Sequence, residues 1–488
     1  MNTGKVTLVG AGPGDPGLLT LKGRDALARA DVILHDHLAS DAILDFARST
    51  AERIYVGKKK ADHTMPQEEI ARLMIGHARA GHVVVRLKGG DPLLFGRGGE
   101  EMEALVDAGI PYEIVPGVTA ALGIAAYTGV PLTHRDHASA VTFVTGHDPG
   151  KIDWSRIGHS ETLVIYMGLT AIGEISAQLI AAGRSPSTPA MAVRWGTRTD
   201  QQTIVATLAD LPARVAAAQM RPPASVIIGE VVALREKLNW FEKLPLFGQR
   251  ILTTRAGMAE PLRALGADVI ELPAISIEPP LDAAPLADAI AQLAIYDWLV
   301  FTSANGVKGF LKALDESSVD LRQLRARLCA VGPATAAALA ALHLKVDVIP
   351  DEYVAESLVA AMAKFDLSGQ RILLPRAAVA RDVVPDALRN RGAQVDIVEA
   401  YRTVVPATDL SSIKAVDWVT FTSSSTVKNF LALGGGLLLE RGAQVASIGP
   451  VTSETARQHG LIVAAEATDF TLAGLIAAVV EYRQTHSL

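Results

Sequence analysis

At 488 residues the chain exceeds what one hydrophobic core can fill, so three or more domains are expected. With 49% hydrophobic and 20% charged residues and no charge block it reads as globular, and a net charge of −6 argues against nucleic acid as its main partner. A lone cysteine, Cys329, excludes an intramolecular disulfide framework and a cysteine-built zinc site.

The first strand pattern, residues 5–9, arrives too early for a secretory signal. The uncharged run 114–132 is broken by Pro116, Gly117, Gly123, Gly129 and Pro131, which argues against a membrane span. A soluble, cytoplasmic protein is expected. From residue 5 to about 235 short apolar runs alternate with helical patterns, the reading for a mainly parallel sheet covered by helices.

Polar and glycine residues gather just after each run. Strand 5–9 is followed by Gly10-Ala-Gly-Pro-Gly-Asp-Pro-Gly17, strand 31–35 by Asp36 and strand 53–57 by Lys58. Strand 82–87 leads to Gly89-Gly-Asp91, and strand 112–115 to Pro116-Gly-Val-Thr-Ala120. Ligands of open α/β sheets bind outside the carboxyl ends of the strands, so five such loops together point to a cleft. Asp15 interrupts any dinucleotide fingerprint starting at Gly10, and no Gly-Lys-Ser/Thr phosphate loop is present. Glu100 and Glu101 open a helix after Gly98-Gly99, where carboxylates suit the positive end of the dipole. His134 and His137 look like a metal pair, but no carboxylate or cysteine stands in ligand spacing, so no metal is expected.

These motifs, with Lys88-Gly-Gly-Asp-Pro92, Phe95-Gly-Arg-Gly-Gly-Glu-Glu101, Val115-Pro-Gly-Val-Thr-Ala120, Pro131-Leu-Thr-His-Arg135, Tyr166-Met-Gly168 and Leu238-Asn-Trp-Phe241, resemble uroporphyrinogen-III C-methyltransferase over about residues 4–242. The resemblance implies two α/β lobes, about 1–118 and 119–242, with the site between them. It implies two methyl transfers from S-adenosylmethionine to uroporphyrinogen III, giving precorrin-2. By the same resemblance Pro13, Gly89, Gly90, Asp91, Leu94, Thr119, Ala120, Met167 and Gly196 line the S-adenosylmethionine pocket, the Leu93-Leu94 pair departing locally from the family. Asp36 and Lys58 hold the positions of proton acceptor and donor. The substrate carries eight carboxylates, so cations should collect at the cleft: Lys58–Lys60, Arg86, Lys88, Arg97, His134 and Arg135 stand on the strand-end side. The family also suggests a homodimer through this half.

Residues 243–248 read as a short linker. From about 249 the chain repeats itself: Asp297-Trp-Leu-Val-Phe-Thr-Ser303 returns as Asp417-Trp-Val-Thr-Phe-Thr-Ser423, Arg250-Ile-Leu-Thr-Thr-Arg255 as Arg371-Ile-Leu-Leu-Pro-Arg376, and Gly332-Pro-Ala-Thr335 as Gly449-Pro-Val-Thr452. Periodicity predicts two consecutive parallel α/β lobes. Hydroxyls at helix starts can cradle carboxylates, or simply cap the helices.

In order along 249–485 this half resembles uroporphyrinogen-III synthase, which cyclises hydroxymethylbilane with inversion of its last ring. That family implies interleaved lobes, 249–276 with 405–488 and 281–400 between, against the consecutive ones. It places Tyr401 to assist loss of the hydroxyl group, and Thr302, Ser303, Thr422, Ser423, Ser424 and Thr452 to hold side-chain carboxylates. The expectation is thus a fused tetrapyrrole enzyme without nucleic-acid or membrane partners. Its rivals are a methylase of a later corrin intermediate and a methyltransferase with a non-catalytic tetrapyrrole-binding module.

Overall fold

The computed structural model of the protein describes residues 4–57, 65–272, 276–350, 355–380, 382–404, 410, 413 and 415–486. By contact the chain falls into two compact units, 1–251 with 257–270 and 476–488, and 252–256 with 271–475.

Five strands open the first unit: β1 (Val6–Gly10), β2 (Val32–His35), β3 (Glu52–Tyr55), β4 (Val84–Lys88) and β5 (Tyr112–Val115). They lie in the order β3-β2-β4-β1-β5, each pair parallel, with Val6 opposite both Val84 and Tyr112. β1 and β4 are buried on both faces. Val6, Leu8 and Val84 pack with Met74 and Leu105 on one side, while Val9, Val85 and Leu87 pack with Leu27 and Ile43 on the other. That two-sided burial explains why β1 reads as a largely apolar run; β4, equally enclosed, also buries Arg86 and Lys88. Because the strands are parallel, every carboxyl end emerges on one edge.

A second sheet follows: β6 (Val141–Thr145), β7 (Thr162–Tyr166), β8 (Pro189–Arg194), β9 (Gln202–Thr207) and β10 (Ala224–Ile228). Its order is β6-β7-β10-β8-β9. Here the mainly parallel expectation fails. Only β6 and β7 are parallel; β10 runs against β7 and β8, and β9 against β8. The connection 195–201 leaves no room for a crossover helix, so β8 and β9 must form a hairpin.

The second half supplies β11 (Arg250–Thr253), β12 (Asp268–Glu271), β13 (Ser276–Glu278), β14 (Trp298–Phe301), β15 (Arg327–Ala330), β16 (Arg371–Ala377), β17 (Gln394–Val404), β18 (Trp418–Phe421), β19 (Gln444–Ser447) and β20 (Val463–Glu466). They form two sheets, β12-β11-β18-β19-β20 and β13-β17-β16-β14-β15. The consecutive lobes suggested by periodicity do not form: β11 and β12 share a sheet with the last three strands. The repeat is still visible in the burial, with Trp298 and Trp418 both enclosed at the start of matching strands. It dictates what each strand buries, not which copy it joins.

Residues 243–248 are no free tether. Leu246 is fully buried, Phe247 packs edge-on against Phe241 at 5.2 Å between ring centres, and Arg483 donates to the Phe247 carbonyl (2.7 Å). No helix among the described residues is long and apolar enough to cross a membrane.

Candidate functional site

The glycine loops beyond β1, β4 and β5 are locked together by bare backbone. Gly12 and Gly90 exchange hydrogen bonds (Gly90 N–H to Gly12 O, 2.8 Å; Gly12 N–H to Gly90 O, 3.2 Å), both with positive φ. A Cβ on Gly117 would stand 2.3 Å from the Gly90 oxygen and 2.7 Å from Gly10 Cα, so no side chain fits there. Asp91 pins the arrangement, accepting from Leu93 N–H (2.8 Å) with one oxygen and from Gly117 N–H (3.0 Å) with the other. Gly117→Ala is expected to destabilise the protein by about 1–3 kcal/mol, as overpacking does. Urea unfolding measures this, and an unchanged midpoint would mean that the loops yield freely.

Pro13 packs against the helix Ala120–Thr128, where a Cβ on Gly123 would meet its Cγ at 2.4 Å. Gly196 meets the same helix through Ile124. Thr119 is buried, its hydroxyl 2.7 Å from the Tyr166 phenol, which also accepts from Ala121 N–H (3.0 Å). Burial pushes the Tyr166 phenol pKa up. Leu94 packs on the core that holds Ala121 and Ile124. Gly89, Gly90, Asp91 and Ala120 stay partly open to solvent, and Met167, just past β7, is 51% exposed. Thus Pro13, Gly89, Gly90, Asp91, Leu94, Thr119, Ala120 and Gly196 are drawn around the strand ends and the start of one helix. Five non-glycine residues in these loops, Phe95, Arg97, Met167, Trp195 and Thr197, hold left-handed backbone, a strain that clusters at functional sites.

Asp36 follows β2. One oxygen accepts from Leu38 N–H (2.9 Å) and the other stands 3.8 Å from Arg86 Nη2. Lys58–Lys60 lie outside the described residues. Arg86 and Lys88, read as substrate cations, are buried and turned inward: both donate to Glu101 Oε1 (3.0 and 2.9 Å), which also accepts from Gln67 (2.7 Å). Glu101 is fully buried and its Oε2 has no partner among the described residues. Burial, then the charge of Arg86, lowers the Lys88 pKa, and Glu101 pulls it back up. Sequence reasoning missed Glu101 by treating it with Glu100 as a dipole partner. The signal existed: Gly98, Glu101 and Leu105 are spaced along one face of the helix Gly98–Asp107, and all three are buried.

Arg97 is exposed and forked onto Glu100 (2.8 and 2.5 Å), so its charge already has a partner. His134 accepts from Asp136 N–H (3.1 Å) and its ring lies 4.9 Å from that of His137; Arg135 is exposed. Among the described residues no group of three or more His, Cys, Asp or Glu is placed to hold a metal.

In the second unit Tyr401, on β17, meets Ser303: the two hydroxyls are 3.0 Å apart. Ser303 also caps the helix Ala304–Asp315 by accepting from Gly306 N–H (3.0 Å), so capping and a second contact coexist in one hydroxyl. Ser423 caps the helix Ser424–Ala432 in a reciprocal box with Thr426. Ser424 accepts from Thr455 (2.7 Å). Thr422 and Thr452 are buried, while Thr302 is partly exposed. The Thr422, Ser423, Ser424 and Thr452 hydroxyls are thus either enclosed or engaged at helix starts.

Residues 5–212 match the family model for tetrapyrrole (corrin/porphyrin) methylases, and residues 256–477 that for uroporphyrinogen-III synthase HemD. Over 487 residues the chain is 37% identical to a porphyrin biosynthesis protein HemD of Ruminiclostridium josui, covering 96% of each. The chain belongs to this family. It is a bifunctional enzyme of tetrapyrrole biosynthesis, a methylase followed by a uroporphyrinogen-III synthase. The siroheme synthase of Pseudomonas entomophila is 54% identical over 243 residues, 49% of this chain and 52% of that protein, so the chain spans about half the length of such relatives. Among solved structures, a uroporphyrin-III C-methyltransferase from Thermus thermophilus, complexed with S-adenyl homocysteine, is 43% identical, covering 47% of this chain and all of that one (TM-score 0.42). A uroporphyrinogen III synthase, also from Thermus thermophilus, is 19% identical, covering 49% of this chain and all of that one (TM-score 0.36).

Proposed function

We propose that the second half converts hydroxymethylbilane to uroporphyrinogen III, and that the first half methylates this product twice, giving precorrin-2. The carrying observation is the partly exposed backbone of Gly90 and Asp91, with Gly90 beside Thr119 and Ala120, on the strand-end edge that also holds Asp36. Bare glycine backbone lets a ligand approach where a Cβ would collide. S-adenosylmethionine would supply an electrophilic methyl group there, held by Pro13, Gly89, Gly90, Asp91, Leu94, Thr119, Ala120, Met167 and Gly196. The pyrrole carbon is already an enamine-like nucleophile, so the chain has mainly to align the two reactants and accept the proton that leaves the ring. Asp36 is that acceptor, with Arg86 Nη2 3.8 Å from its carboxylate. Lys58 is assigned as donor.

In the second half the Tyr401 hydroxyl, poised against Ser303, assists departure of the substrate hydroxyl as water. The substrate's own pyrrole then closes the ring. Thr302, Ser303, Thr422, Ser423, Ser424 and Thr452 are assigned to its carboxylates. A narrower reading, a C-terminal half that only binds tetrapyrrole, draws on the hydroxyls already engaged in capping.

One incubation of the whole protein with hydroxymethylbilane and S-adenosylmethionine tests both halves, followed by absorbance and mass. Dimethylated isomer III is expected. Unmethylated isomer III would refute the methylase assignment, and isomer I alone would leave a binding module.

A further inference from the structure

The turn between β8 and β9 carries a side-chain cluster that the assignments above leave unused. Trp195 has φ +51°, a left-handed conformation that a bulky side chain adopts only under constraint. The constraint comes from both sides. Thr197, also left-handed, donates its N–H to Gln201 (2.9 Å), and its hydroxyl accepts from Asp15 N–H (3.0 Å) in the first glycine loop. The Arg198 side chain closes over Gly14, where a Cβ would stand 2.8 Å from its Cγ.

This turn holds a partly exposed indole among cations. The Arg198 guanidinium lies 4.3 Å from the Trp195 ring centre and that of Arg194 5.8 Å, while the His37 ring stands edge-on at 5.6 Å. His37 follows Asp36, so the indole touches the neighbour of the assigned proton acceptor. Arg198 is held by both oxygens of Asp200 (2.8 and 3.1 Å). Arg194 is not: among the described residues its buried Nε has no partner, its guanidinium meets no carboxylate, and its one side-chain hydrogen bond is a 3.4 Å contact to Gln202. An aromatic face beside an under-used guanidinium matches a ring that carries acidic side chains, the ring packing on the indole and a carboxylate taking the fork.

Resting on the methylase reading above, we infer that Trp195 and Arg194 form the contact for one acid-bearing pyrrole ring of the tetrapyrrole. Trp195 binds and orients substrate; it transfers no proton.

The test compares Trp195→Asn with Trp195→Phe in the full chain, under anaerobic conditions with uroporphyrinogen III and S-adenosylmethionine. Asparagine tolerates the left-handed backbone, so Trp195→Asn removes the ring while relieving the strain. It is expected to raise KM for uroporphyrinogen III about tenfold, the scale of a lost aromatic contact, with KM for S-adenosylmethionine and the melting temperature not worsened. Trp195→Phe should stay near wild type. An unchanged KM for uroporphyrinogen III overturns the inference, as does a rise confined to S-adenosylmethionine, which would put the donor's adenine on the indole. A wild type that never methylates uroporphyrinogen III fails the methylase reading instead. Titration with uroporphyrin III then decides the inference alone: weakening of one site in Trp195→Asn supports it, and identical binding overturns it.

Discussion

Asp36→Asn is expected to slow methyl transfer by about a hundred- to ten-thousand-fold, the usual contribution of a positioned general base. The substitution keeps the shape of the side chain and its oxygen for Leu38 N–H, so the loop after β2 is retained. What disappears is the basic carboxylate 3.8 Å from Arg86. S-adenosylmethionine affinity should hold, because Asp36 lies outside the glycine cradle. Conversion of hydroxymethylbilane should hold too, because every residue assigned to it comes from the second half. Single-turnover methylation, with cyclisation measured in the same sample, gives the answer. A methylation rate within about threefold of wild type, far short of a general base's usual contribution, would remove Asp36 from the mechanism.

The second large effect is expected at Glu101. Two buried cations and Gln67 converge on one of its oxygens. Glu101→Gln leaves Arg86 and Lys88 buried and facing each other, and breaking a buried pair in this way costs roughly 3–5 kcal/mol. The pH dependence has a definite sign. Burial already lowers the Lys88 pKa, so just below the ordinary lysine value the folded state binds fewer protons than the unfolded state, and stability rises with pH. Without Glu101 the lowering grows. The destabilisation of Glu101→Gln should therefore shrink as pH climbs from neutrality toward the lysine range. Urea midpoints at two pH values measure it; a gap that widens with pH would show that the two cations are not what Glu101 holds.

The α/β class was legible because enclosed strands such as β1 must be largely apolar on both faces, and because glycine and aspartate collect where the chain leaves them. Strand direction was not. The run Val226-Ile-Ile228 reads the same whichever way it lies, and only the short connection after β8 betrays the hairpin. The interleaving of the second half was likewise invisible to periodicity, since matching strands bury matching residues in either pairing. At the site, loop positions could be read from glycine spacing. The inward turn of Arg86 and Lys88 could not, because a lysine or arginine near a strand's end looks the same whether it faces water or a buried carboxylate. Trp195 gave no pattern at all: its meaning lies in a left-handed backbone angle and in the fold that brings His37 beside its ring.

The packed state of residues 243–248 bears on how the two chemistries can be told apart. Scissors at 245 would part the Phe241 ring from that of Phe247, which packs edge-on against it. A severed half that falls silent would then report a frayed seam rather than a missing catalyst, so point substitutions within the intact polypeptide are the cleaner way to silence one activity and read the other.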